Sequence, residues 1–310
     1  MKKYLNPLLL LAAAMIWGFA FAAQDAASEV PAFTLGFGRS LLAVLFLIPT
    51  VAVLDRVNRT GRRLISRSGI DLNRYELVGG AILGVILAVA SALQQFGINA
   101  GTDGGKAAFI TALYVVMVPV YALALKKRAP LNVWISVAIA VVGFYLLCIE
   151  DGLTVQPSDM LVVGCALVFP IHILIIDRLS PKCDGVRMSL VQFASCTAVN
   201  LILAILTEGN GFSLAPLAVS ILPVLYLGIG SSGVAYTLQI VGQRGVHPGA
   251  ASIILSLESV FGVIGTALFI GSTLSGREYL GCLIVLFAVI LCQLNFNNKK
   301  DSTKGESQNA

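Results

Sequence analysis

Ten apolar runs, each about as long as a bilayer is thick, leave this chain few folds to choose from. They cover Asn6–Asp25, Ala32–Leu54, Tyr75–Asn99, Gly104–Leu125, Leu131–Ile149, Asp159–Ile176, Val186–Leu206, Leu217–Val241, Pro248–Ile270 and Arg277–Phe296. A helix needs about 20 residues to cross the hydrocarbon layer. There every backbone N–H and C=O must be satisfied within the protein, so runs of this kind are read as helices. The linkers are too short for a second folded unit. The longest, Asp55 to Arg74, is a basic strip, and residues 297–310 form a cytoplasmic tail, polar from Asp301 onward. With 57% hydrophobic and 12% charged residues, the composition is that of a polytopic membrane protein.

Charge placement sets the orientation. If the N-terminus is cytoplasmic, 18 of the 21 Lys and Arg residues fall on inside segments, leaving Lys106, Arg277 and the intramembrane Arg39. The outside segments carry Asp25, Glu29, Asp103, Glu150, Asp151, Asp159, Glu208 and Glu278 instead. This asymmetry predicts cytoplasmic N- and C-termini. The net charge of +5 is thus a topology signal, with the lipid bilayer and not nucleic acid as its partner. Lys2-Lys3, the apolar stretch to Phe21 and Ala20-Phe21-Ala22 resemble a secretory signal. Parity, argued next, predicts that this first helix is retained.

The chain repeats itself. Leu93-Gln94, Gly97 and Gly104 recur 145 positions later as Leu238-Gln239, Gly242 and Gly249, and the same displacement lays Thr111 on Ser256 and Tyr114 on Ser259. The halves, 5–148 and 159–292, hold five runs each. Five is odd, so the second half inserts inverted relative to the first. Inverted duplication is a transporter architecture with its site at the midplane between the halves. The expected fold is therefore an all-α membrane protein of ten transmembrane helices in two inverted five-helix repeats.

A carboxylate in hydrocarbon is costly and needs a partner, water or a proton. Glu258 is such a residue, about 11 residues or roughly 16 Å into a helix rising from His247. It shares a face with Ala251, Gly262 and Gly265, so it should look into the bundle. Two readings stand: an acid that carries a proton or binds a substrate amine, or a structural acid held by Arg39 or a backbone amide. Arg39 has the same two readings, structural or binding a substrate carboxylate, plus a third in which it pairs with Glu258 in one state and releases it in another.

Ser91, Gln94, Gln95 and Asn99 make one polar stripe, and Ser232, Tyr236, Gln239 and Gln243 another, at helical steps. The repeat relates the two, which predicts opposing cavity walls; interhelical hydrogen bonding is the alternative. Trp17, Phe21, Tyr114 and Phe169 are candidate aromatic walls. His172, two residues after Pro170, reads as a core histidine satisfied by the carbonyl that the proline frees. His247 reads as a helix-start residue before Pro248.

Other chemistries find little support. The six cysteines have no CxxC spacing and read as small core residues, with no disulfide framework or zinc site. No Walker loop, acidic metal cluster or paired catalytic carboxylate appears, so no cofactor is implied and no enzyme is expected. Gly230-Ser231-Ser232-Gly233 resembles the serine motif of intramembrane proteases, a remote alternative without that family's Asn- and His-bearing helix.

Trp17-Gly18, Arg39, the run Lys106 to Tyr114 with Pro119, and Leu257-Glu258 together resemble the EamA-type branch of the drug/metabolite transporter superfamily. The resemblance implies a central cavity bordered by helices one to four and six to nine, with the fifth and tenth peripheral and available for a homodimer. It also implies a secondary transporter in the bacterial inner membrane. Its members mostly export amino acids or other small metabolites, by alternating access. Proton antiport and uncoupled facilitation are the two coupling modes to distinguish. Expected cavity residues are Trp17, Gln94, Tyr114, Tyr236, Gln239 and Ser256, with Glu258 and Arg39 for proton coupling or an ion pair. The sequence departs from the family where Ser259 replaces a frequent proline after Glu258, and where Lys127 and Ser272 stand at places often held by Glu.

Overall fold

The computed structural model describes residues 2–59, 72–102, 104–127, 129–148, 155–208, 213–270 and 275–293. The basic strip around Arg62, Arg63 and Arg67, the tail 297–310, and Asp103, Arg128, Glu150, Asp151 and Ser272 lie outside the described residues. Among those described, all regular structure is helical. In chain order the α-helices are α1 (Lys2–Ala26), α2 (Ala32–Arg59), α3 (Arg74–Asn99), α4 (Gly104–Ala112), α5 (Tyr114–Ala124), α6 (Leu131–Cys148) and α7 (Asp159–Leu179). They continue as α8 (Gly185–Leu203), α9 (Ala215–Val219), α10 (Ile221–Leu225), α11 (Tyr236–Gly242), α12 (Pro248–Leu255), α13 (Glu258–Ile270) and α14 (Gly276–Gln293).

Several of these are segments of one longer span. α4 and α5 form a span from Gly104 to Ala124; α10 and α11 are joined by the π-helical Tyr226–Ala235 into a span from Ile221 to Gly242. Among the described residues, eight helical stretches are long and apolar enough to cross a membrane, and Leu131–Leu147 is a shorter apolar helix. α14 packs along that shorter helix: a Cβ at Gly281 would meet Leu147 N at 2.8 Å and Gly143 O at 2.9 Å. α6 and α14 are thus each other's partners within one chain.

Helix starts are chemically marked. Asn73 and Glu76 form a capping box at α3, each side chain accepting from the other's backbone N–H at 2.8 and 2.9 Å. Asp184 caps α8 through Val186 N and Arg187 N, and His247 caps α12 by accepting from Gly249 N at 3.2 Å.

Packing is unchanged in pattern when the halves are exchanged. α3 lies on α7 and α8; the Ile221–Gly242 span lies on α1 and α2. The repeated glycines account for this. A Cβ at Gly97 would meet Val162 Cγ2 at 2.4 Å and Ser158 O at 3.1 Å, at the start of α7. One at Gly242 would meet Asn6 O at 3.0 Å and Leu9 Cβ at 3.1 Å, at the start of α1. Absent side chains at both places let two backbones approach. Cys165, Cys183, Cys196, Cys282 and Cys292 are buried and not joined to one another, four of them within apolar packing.

Candidate functional site

Two helices are interrupted within two residues of matching places. The fourth span breaks at Leu113 and resumes with Tyr114; the ninth breaks at Ser256-Leu257 and resumes with Glu258. Both breaks are single turns of tighter hydrogen bonding: Leu113 N to Ile110 O and Val116 N to Leu113 O, and Leu257 N to Ile254 O and Ser259 N to Ser256 O, all at 3.0–3.2 Å. The residues at the turns have nearly equal dihedrals, φ −61, ψ −12 at Leu113 and φ −66, ψ −8 at Ser256. The ninth span therefore breaks without the proline that the family pattern suggests.

Glu258 and Tyr114, the first residues of the two resumed helices, face each other. Both side chains are buried and line the same cavity. Oε1 of Glu258 has no hydrogen-bond partner among the described residues. α1 covers the carboxylate's backbone closely, since a Cβ at Gly18 would stand 2.7 Å from both Glu258 O and Gly262 N. Gly265 likewise makes room for the Phe19 ring.

The pair opens on a cavity holding about 560 Å³ of space between atoms. Arg39 lines it from α2. Its Nη2 donates to Ser231 Oγ at 3.0 Å and its Nε to Ser232 Oγ at 3.1 Å. Both hydroxyls come from the wide π-helical turn at Gly230-Ser231-Ser232-Gly233, a conformation often found at functional sites. Among the described residues the guanidinium has no carboxylate within ion-pair distance, so Arg39 and Glu258 are both cavity-facing and not joined to each other. Trp17 is fixed to the same turn by its Nε1–H, which donates to Ser231 O at 3.2 Å.

Of the residues expected from sequence, Trp17, Gln94, Tyr114, Tyr236, Gln239, Glu258 and Arg39 line this cavity. Ser256 does not: its hydroxyl turns back to Ile253 O at 2.8 Å, because the chain tightens there into the helix break. The polar stripes divide. Ser91 and Gln94, and Tyr236 and Gln239, reach the cavity, whereas Gln95 and Asn99 bond to Gln24 O and Val30 O, and Gln243 bonds to Ile173 O. His172 finds its partner in a side chain, not in a carbonyl freed by Pro170: its Nε2 lies 3.1 Å from Gln192 Oε1. Gln24, which donates to Gln94 Oε1 at 3.0 Å and lines the cavity, carries no signal of its own at the end of an apolar run. The seventh run, α8, contributes nothing to this cavity. No group of three His, Cys, Asp or Glu able to hold a metal occurs among the described residues.

Both ends of the bundle are tied across the halves. Where α1 starts, Arg187 donates twice from Nη2 to Asp55 at 2.7 and 2.8 Å, Asp184 N donates to Glu76 at 2.7 Å, and Lys127 pairs with Asp177. At the opposite end, Glu208 accepts from Phe33 N, Thr34 N and Thr34 Oγ1, and Asp159 from Lys106 and Thr102. Asp55 and Glu208 are 153 positions apart, and so are Thr34 and Arg187. Each acid therefore grips the start of the other half's helix.

The model of the EamA-like transporter family matches this chain twice, over residues 6–149 and 156–293. A curated relative from Archaeoglobus fulgidus, described as an uncharacterized transporter, is 26% identical over 295 residues, covering 94% of this chain and 87% of its own length. A solved crystal structure superimposes with a TM-score of 0.72 at 15% identity, covering 93% of this chain and 98% of that one, which shows the shared fold.

Proposed function

Because this chain belongs to the EamA-like transporter family, we propose that it is a secondary carrier exporting a small amphipathic metabolite, such as an amino acid or derivative, by alternating access. One observation carries this reading: two helices broken within two residues of equivalent places present Tyr114 and Glu258 to a single cavity. Broken helices in corresponding positions of two repeats are where carriers build substrate and ion sites.

The cavity's chemistry suits a molecule with two charged ends and an apolar body. Among the described residues Arg39 offers a guanidinium held by neutral hydroxyls, able to receive a carboxylate. Glu258 offers a carboxyl oxygen that can receive an ammonium group or a proton. Trp17, Phe21, Phe169 and Tyr236 supply the apolar wall. When a proton replaces the amine on Glu258, the carrier can return, which couples export to inward proton movement. In this scheme the ten helices form two inverted halves with cytoplasmic termini in a bacterial inner membrane. The ties at Asp55–Arg187 and Glu208–Thr34 close and open in turn.

Reconstitution tests the carrier reading. Proteoliposomes preloaded with a mixed pool of labelled amino acids should lose a subset of them faster than protein-free vesicles. Loss no faster than from the protein-free vesicles across the pool contradicts it.

A further inference from the structure

A second chamber adjoins the first. Open space included, its volume is about 210 Å³, and Leu87, Phe193, Ser40 and Cys196 give it an apolar to weakly polar lining. Arg39, Ser91 and Tyr236 line both chambers and so form the wall between them. Arg39 spans the wall, bonding Ser231 on the larger cavity's side and Ser232 on the smaller one's.

Tyr236 is the aromatic part of that wall. Its ring rests against Trp17, Phe193 and His172, with centroids 4.6, 5.6 and 5.8 Å away. Its hydroxyl has no hydrogen-bond partner among the described residues, whereas Trp17 and Arg39 are both anchored. Apolar and ring packing, with no hydrogen bond, hold it in place. It also heads α11, at the end of the π-helical segment, where backbone hydrogen bonding changes register.

We propose that Tyr236 is a specificity-determining partition: it closes an apolar side chamber off the substrate cavity and thereby limits the size of the apolar substituent a substrate can carry beside Arg39. The assignment rests on the cavity being the substrate site, but the partition can be tested without transport.

Cys196 lies in the side chamber, 2% exposed. In a full-length protein retaining Cys196 alone, labelling by a small methanethiosulfonate should be slow. Tyr236→Ala should speed it by at least about tenfold, since thiol reactivity follows access. Tyr236→Phe, which keeps the ring, should leave it slow. Leucine, phenylalanine or tryptophan, offered as probes, should slow the accelerated labelling in Tyr236→Ala, and alanine should not. Tyr236→Leu serves as a second opening variant, with monodispersity in detergent checked for each. Labelling of both opening variants at the Tyr236→Phe rate overturns the proposal, as does accelerated labelling that none of the larger amino acids slows. Failure of flux with successful acceleration would count against the carrier reading and leave the partition standing.

Discussion

Gly97 and Gly242, 145 positions apart, do the same work at opposite ends of the molecule: each brings its helix onto the first turns of the helix that opens the other half. Alanine at either place must push a neighbour aside, at a cost of roughly 1–3 kcal/mol. The two share no neighbours, so the losses should add in the double variant. Gly276, with nothing within 4 Å of its added Cβ, is the neutral control. Melting temperatures in detergent would check this, and a neutral Gly242→Ala would contradict the packing described.

Asp55 and Arg187 form a buried tie, with side chains 12% and 4% exposed. Asp55→Asn removes the carboxylate paired with this buried guanidinium, which costs roughly 3–5 kcal/mol. Exchanging the residues, Asp55→Arg with Arg187→Asp, should recover a substantial part of the loss. Equal melting temperatures for wild type and Asp55→Asn would show that the tie holds nothing.

The helical spans and the repeat were legible because hydrophobic length and two-fold recurrence are properties of the chain itself. So were ten of the cavity-lining residues, the polar ones because a polar group on an apolar helix must face protein or water. The helix breaks were not. Leu113 and Leu257 carry no breaker signal, and Pro119 lies six residues beyond the first break. Ser256 was misplaced for that reason: the tightened turn rotates its hydroxyl onto Ile253 O. In sequence, Gly230 to Gly233 resembles only a protease serine motif, and the π-helical turn that aims Ser231 and Ser232 at Arg39 leaves no compositional trace. His172 was assigned a local carbonyl because only local neighbours can be read from sequence; Gln192, 20 residues away, is its partner.

Arg39→Lys separates binding from structure. Lysine keeps the charge but cannot donate from a fork to Ser231 and Ser232 together. If Arg39 receives a substrate carboxylate, KM should rise by about tenfold, the value of one charge-assisted hydrogen bond. If it serves only to tie α2 to the π-helical turn, thermal stability should fall while KM stays constant.

The central claim, that Glu258 carries the coupling proton, is tested most directly by amino acid flux in proteoliposomes under an imposed pH gradient, wild type against Glu258→Gln. The account predicts that the gradient drives accumulation in wild type, while the variant only exchanges solute across the membrane. A gradient without effect, together with a variant equal to wild type, would contradict it and make the protein a facilitator in which Glu258 is a structural acid.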